Sequence, residues 1–241
     1  MAVSQSSWIA TGELGDLPAI HIWDCDTLQN IAILKGIHDS GVHLLSFMKN
    51  DEFIVSCGIR TNSPLLIYNI KDTSLVLSTY LGGFALDLRP IVSYVAIPDK
   101  KDNSNKYQIS ESNGEELSGN SFFACTEDAV FVFTHKNGQF KTGELYIQEY
   151  EIASPISCCV ALKVNVDNPY LKAYANENDK ALVFLTGHSG GKVFVWENYV
   201  LREELVDYKS EILAITCLDF GVVIATDSSF LYFVRNFSKF Q

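Results

Sequence analysis

Short runs of Val, Ile, Leu, Phe and Tyr recur along the whole chain, each bounded by Gly, Asp, Asn or Ser. None is long enough to carry the 3.6-residue stripe of an amphipathic helix, so the pattern predicts strands almost throughout. Five stretches share one layout: a run ending in a small residue and Gly or Thr, a polar turn, then an apolar run closed by a large residue and a polar one. They are Ile9-Ala10-Thr11-Gly12 leading to Ile22-Trp23-Asp24, Val55-Ser56-Cys57-Gly58 to Ile67-Tyr68-Asn69, and Phe123-Ala124-Cys125-Thr126 to Val132-Phe133-Thr134. Phe184-Leu185-Thr186-Gly187 to Val195-Trp196-Glu197 and Val223-Ile224-Ala225-Thr226 to Phe233-Val234-Arg235 complete the set.

From Trp23 the closing positions step by 45 residues to Tyr68, 65 to Phe133, 63 to Trp196 and 38 to Val234. These steps bracket the ~40 to 45 residues of one four-stranded propeller blade. The two long steps hold polar insertions, 98–121 and 165–180, expected as surface loops, the first of them the earliest site of proteolysis. A blade cannot bury both faces alone and must be stacked on others, so large residues at the ends of third strands should fill the gaps between blades. Gly at the end of the second strand is expected to permit the tight reversal into the third. The fold class expected is therefore all-β: one propeller segment over 1–241 with about five four-stranded blades, blade two at 42–80 and blade four at 156–206. The chain reads as starting at the second strand of its first blade and ending after the third strand of its fifth, which predicts an open or imperfectly closed arc. The repeat positions singled out as structural are Gly12, Trp23, Asp24, Gly58, Tyr68, Gly187 and Trp196, with His38 beside them.

Composition narrows the partners. The 47% hydrophobic content supports a large core, while 18 Lys plus Arg against 29 Asp plus Glu leave a formal charge of -11. That charge opposes binding to phosphate backbones and anionic lipid, so neither nucleic acid nor membrane is expected as a partner. No apolar window approaches the ~18 residues of a membrane span and the first residues lack a secretory pattern, which makes the cytoplasm the expected location. The six cysteines (Cys25, Cys57, Cys125, Cys158, Cys159, Cys217) show no Cys-x-x-Cys spacing and read as reduced thiols, mostly buried.

Gly36-Ile37-His38 before the run 42–47, together with Ile22-Trp23-Asp24, resembles the Gly-His and Trp-Asp dipeptides of WD repeats. The stretch Ala10-Thr11-Gly12-Glu13 through Pro18 to Asp24, with Thr27-Leu28 and Leu34 to His38, resembles the first propeller of the echinoderm microtubule-associated-protein-like family. Residues 184–202 are similar to a later blade of that propeller. The resemblance spans roughly 8–80 and 180–235. It implies tubulin or other cytoskeletal partners, and a place for the His38 imidazole in a buried hydrogen-bond network that locks blade edges. This chain shows neither the basic coiled-coil region of that family nor more than about half of its propeller. Self-association, or pairing with a missing propeller half, belongs to the same expectation.

Other motifs carry little chemistry. Gly187-His188-Ser189-Gly190-Gly191-Lys192 has the look of a phosphate loop, but Val193 follows the lysine where Ser or Thr is required and the segment opens a strand, so a hairpin is expected. Asp219-Phe220-Gly221 has no companion kinase motifs. The five histidines show no metal-ligand spacing, and Glu115-Glu116 and Glu203-Glu204 read as solvated pairs. The function expected is a non-catalytic interaction scaffold with no cofactor and no metal. The alternatives are a WD-repeat adaptor in a ubiquitin-ligase or trafficking complex and, third, a propeller hydrolase.

Overall fold

The computed structural model describes residues 1–4, 6–48, 51–90, 98–101, 107–109, 121–136, 138–150, 152–162, 183–197, 199–218, 221–229 and 231–234. Alternating apolar positions fold into five antiparallel sheets taken up in chain order. The first holds β1 (Ala2–Val3), β2 (Trp8–Gly12), β3 (Ala19–Asp24) and β4 (Asn30–Lys35). The second holds β5 (Val42–Phe47), β6 (Phe53–Gly58), β7 (Leu65–Asn69) and β8 (Leu75–Thr79). The third is assembled from β9 (Asp87–Pro90), β12 (Ser121–Cys125), β13 (Ala129–Lys136) and β14 (Gln139–Tyr146). A separate ladder of β10 (Pro98–Lys101) and β11 (Tyr107–Ile109) stands between its first two strands. The fourth holds β15 (Ile156–Leu162), β16 (Val183–His188), β17 (Lys192–Glu197) and β18 (Val200–Asp207). Among the described residues the fifth has three strands, β19 (Ile212–Leu218), β20 (Gly221–Thr226) and β21 (Leu231–Val234). The one helical element among the described residues is a single 3-10 turn at Ile147–Tyr150.

The second sheet starts at the residue expected for blade two and ends one short of it, and the fourth covers the range expected for blade four with one residue more. Two details differ. The chain opens with a two-residue first strand, because Ala2 and Val3 reach back to pair with Ala10 and Ile9. Part of the insertion expected as loop, 98–121, forms the β10–β11 ladder; its residues 102–106 and 110–120, on which the proteolysis expectation turns, and the whole of 165–180 lie outside the described residues.

The sheets stack face on face. Each has a back, turned toward the preceding sheet, and a front, turned toward the next. Four apolar clusters fill the four gaps between successive sheets. One is Ala10, Ile20 and Ile22 against Ile54, Leu66 and Tyr68, and the next is Val55, Leu65 and Ile67 against Phe122, Phe131 and Phe133. The third is Phe123, Val130 and Val132 against Phe184 and Trp196, and the fourth is Val183, Leu185 and Val195 against Ile215, Val222 and Ile224. Among the described residues no cluster joins the fifth sheet to the first, so the arc is open. The first strands β1, β5, β9, β15 and β19 lie against one another in turn and line the inside of the arc.

Burial follows from the stacking. The second strands β6, β12 and β16 are buried along their whole length, because each lies between two neighbouring sheets as well as between two strands. The outer strands β4 and β8 are largely exposed. At ~25 cal/mol per Å² of apolar surface, most of the stabilisation therefore sits in the gaps between sheets.

Candidate functional site

The repeat positions meet around a buried polar chain in the fourth sheet. Phe184 and Trp196 are cross-strand partners on β16 and β17, and alternation puts Thr186 on the same face. The Trp196 indole N–H donates to Thr186 Oγ1 at 2.9 Å, and Thr186 Oγ1 lies 2.9 Å from His188 Nε2. His188 Nδ1 in turn lies 2.7 Å from the carbonyl oxygen of Ser154. That carbonyl only accepts, so Nδ1 carries the proton, Nε2 takes the Thr186 hydroxyl proton, and one neutral tautomer satisfies every group. Burial pushes the ionisation of His188 down, partly opposed by the Ser154 carbonyl. The chain ties the second and third strands of the sheet to the loop entering its first strand. Neither Thr186 nor His188 was singled out by the sequence; the signal was Thr two residues after an apolar position, shared with Thr11.

His38 belongs to a smaller version of this arrangement. It is 3% exposed, and its Nε2 sits 2.9 Å from Ser56 Oγ on β6, which ties the loop between the first two sheets to the second. Burial lowers its pKa, with nearby Asp39 opposing. The opposite position on β7 is Leu66, and Tyr68 brings no indole N–H, so the link stops at the serine. Asp24 works at the other end of a strand. Its Oδ1 accepts from the backbone N–H groups of Asp26 and Thr27 and from the Thr27 hydroxyl, fixing the turn from β3 to β4. Those donors hold the Asp24 carboxyl below its usual range.

The glycines have a different role from the one expected. Gly12, Gly58 and Gly187 all lack a positive φ, so none is required by a tight reversal. They are required by close approach. A Cβ on Gly12 would stand 2.5 Å from Val42 Cβ, and one on Gly187 would stand 2.5 Å from Ile212 Cγ2 and 2.8 Å from Cys158 Sγ. Val42 and Ile212 open β5 and β19, so at both places the next sheet's first strand crosses a second strand that has no side chain. On Gly58 the obstacle would be Ser63 Oγ at 2.5 Å and His38 Nδ1 at 2.9 Å. The hairpin expected at 187–192 is present, and there Gly191 does carry a positive φ of 91°.

The repeat's large residues divide by position in the stack. Tyr68, Phe133 and Trp196 are 4%, 1% and 0% exposed inside the gaps, whereas Trp23 is 36% exposed on the back of the first sheet. Val234 pairs with Val222 on β20. Of the six cysteines, Cys57, Cys125, Cys158 and Cys159 are buried, and burial pushes the Cys57 thiol up to about 12, far from a reactive thiolate. Among the described residues no three His, Cys, Asp or Glu side chains stand close enough to hold a metal ion. Glu204 pairs with Lys192 at 2.7 Å on the exposed outer edge of the fourth sheet, while Glu115-Glu116 and the first two residues of Asp219-Phe220-Gly221 lie outside the described residues.

What the arc offers to a partner is a rim. The turns after β2 and β6 and the loop after β4 emerge on one side. There Leu14 bridges to Gly41, and the Ile59 N–H donates to the Gly41 carbonyl at 3.1 Å. Leu14 and Leu17 are each 75% exposed, with Ile37 and Ile59 also exposed nearby. Large apolar residues in solvent on loops held by rigid sheets mark an interaction surface. Carboxylates flank them: Asp16, Asp39 paired with Arg60 at 3.1 Å, and Glu127 and Asp128 on the same rim of the third sheet.

No family model matches the chain. Among solved structures it is similar to the β-propeller domain of Myceliophteria thermophila Cps50 (Swd1), at 13% identity and TM-score 0.62 over 100% of this chain and 66% of that one. It is similar to Saccharomyces cerevisiae Sqt1 at 11% identity and TM-score 0.65, covering 97% of this chain and 58% of that one. The computationally designed Ika4 protein matches at 16% identity and TM-score 0.55, over 86% of this chain and 98% of that one. The chain thus spans 66% of the first of these and 58% of the second. At such identities the likeness speaks to the fold alone, and it does not single out the echinoderm microtubule-associated-protein-like family. The chain has a β-propeller fold, laid out among the described residues as an open arc of five sheets.

Proposed function

We propose that the chain is a non-catalytic protein-interaction scaffold that meets its partner at the rim between the first and second sheets, in the cytoplasm. The observation that carries this reading is the group of exposed apolar loop residues, Leu14, Leu17, Ile37 and Ile59, held in place by the stacked sheets beneath them. The sequence resemblance at residues 10–38 favours tubulin or another cytoskeletal component as that partner. A chain of net charge -11 is repelled at long range by an acidic polymer, so attachment must come from local contacts. Co-sedimentation with microtubules at rising salt tests this. The expected result is weak binding that salt does not weaken and that Leu14→Asp with Ile59→Asp abolishes; tight binding that collapses with salt would overturn it.

A second reading, an adaptor in a non-cytoskeletal complex, is favoured by Asp16, Asp39, Glu127 and Asp128 along that rim. Carboxylates around an apolar centre suit a partner segment with apolar anchors and basic flanks. Failure to sediment with microtubules, together with a bound complex that the same rim variant releases, would decide for it.

A further inference from the structure

We propose that the back of the first sheet, centred on Trp23, docks the front of the fifth sheet of a second copy of this chain. Every gap in the arc is made the same way, with the front of one sheet against the back of the next. Four such contacts use four fronts and four backs, and among the described residues nothing covers the fifth front or the first back. Both present apolar side chains to solvent. On the first back Trp23 and Ile33 are exposed, with Ile9 half-buried beside its partner Trp23. On the fifth front Ala214 and Leu218 are exposed, with Val223 and Ala225 half-buried.

The first back repeats the surface that the fourth sheet buries. Ile9, Thr11 and Trp23 occupy the places of Phe184, Thr186 and Trp196, with the same cross-strand pairing and the same indole to threonine hydrogen bond, 3.1 Å against 2.9 Å. Within the arc the large Tyr68 packs in a cluster with Ala10 and Ala32 of the preceding front, and the fifth front likewise carries small residues, Ala214 opposite Ala225. The joint is polar, front to back, so the two copies contribute different surfaces and a third copy can add in the same sense. Like charges of -11 on each copy oppose the encounter, and salt, by screening them, strengthens the association. The joint goes beyond the scaffold reading, since a chain that carried no partner at all would still associate through it.

Sedimentation velocity of the whole chain over a range of protein and salt concentrations tests the proposal. The mass is expected to rise from one chain to two or more with protein concentration, at lower concentrations as salt rises. Trp23→Asp and Leu218→Asp, both at exposed positions, should each weaken association roughly 30-fold. Mixing the two variants should restore pairs, because one retains a sound front and the other a sound back. A chain that stays single throughout, whether or not another protein occupies Trp23, overturns the proposal. So does association that neither variant changes, or a mixture that fails to pair.

Discussion

The first and fourth sheets were built from the same sequence rule and ended in different environments. Each sets an apolar residue opposite a tryptophan, places threonine two positions further along the second strand, and follows that threonine with glycine. In the fourth sheet Trp196 is wholly buried, faces Tyr150 edge-on at 4.9 Å and heads a hydrogen-bonded chain that reaches Ser154. In the first sheet Trp23 stacks on His21 at 5.7 Å, and the chain stops at Thr11; Glu13 turns instead to His21 at 2.9 Å and to the Ala19 N–H. The difference is that the third sheet packs over Trp196, whereas among the described residues no sheet packs over Trp23, which is 36% exposed. A repeat thus fixes the surface a sheet presents, and the neighbour decides whether that surface is buried or left exposed.

Breaking the comparison at its centre gives the largest effect. Trp196→Ala should cost about 3 to 5 kcal/mol of stability, because a large buried side chain is lost from the gap between the third and fourth sheets. Trp23→Ala should cost well under about 1.5 kcal/mol, since that face is already wet. Urea unfolding of the two variants side by side checks the contrast, and equal shifts would mean that the first sheet's back is covered.

Next comes close approach. Gly187→Ala brings a Cβ against buried Ile212 and Cys158 and should cost about 1 to 3 kcal/mol. Gly12→Ala meets Val42 alone and should cost less, because Gly12 itself is exposed and β2 can shift outward. The same unfolding measurement ranks them.

The threonines sharpen the comparison at finer scale. Thr186→Val strands the buried Trp196 N–H and His188 Nε2 and should cost about 1 to 3 kcal/mol. Thr11→Val releases an exposed indole N–H to water and should fall within about 0.5 kcal/mol of the parent.

The smallest effect is on pH dependence. Burial lowers the pKa of His188 and of His38 in the fold, so below their unfolded values near ~6.5 the unfolded chain binds protons that the folded chain refuses. Their contribution is complete above that pH and is lost as the pH falls through it toward the lowered folded values. The melting temperature should drop between pH 7.5 and 5.5, and His188→Gln should flatten that drop. A slope unchanged by the substitution would show that His188 takes up its proton at the same pH in the folded and unfolded chains.

The strand content, the five repeats and the limits of the second and fourth sheets were legible in the sequence, because alternation with period two and a recurrent turn chemistry are local properties. A buried place for His38 was implied only by the resemblance to WD repeats, and the imidazole is 3% exposed. The reason for the glycines was not legible. Gly12 and Gly187 answer to Val42 and Ile212, residues of the next sheet, and no window along the chain shows a crossing between strands 25 or more positions apart. The network through Thr186 and His188 was hidden for the same reason, since its last acceptor, the Ser154 carbonyl, is brought in by the loop that enters β15. By itself the sequence determined which faces are apolar and in what order the sheets follow. Only the tertiary structure decided which of those faces meet, since burial depends on a neighbour. It left Trp23 in water while closing Trp196 away from it.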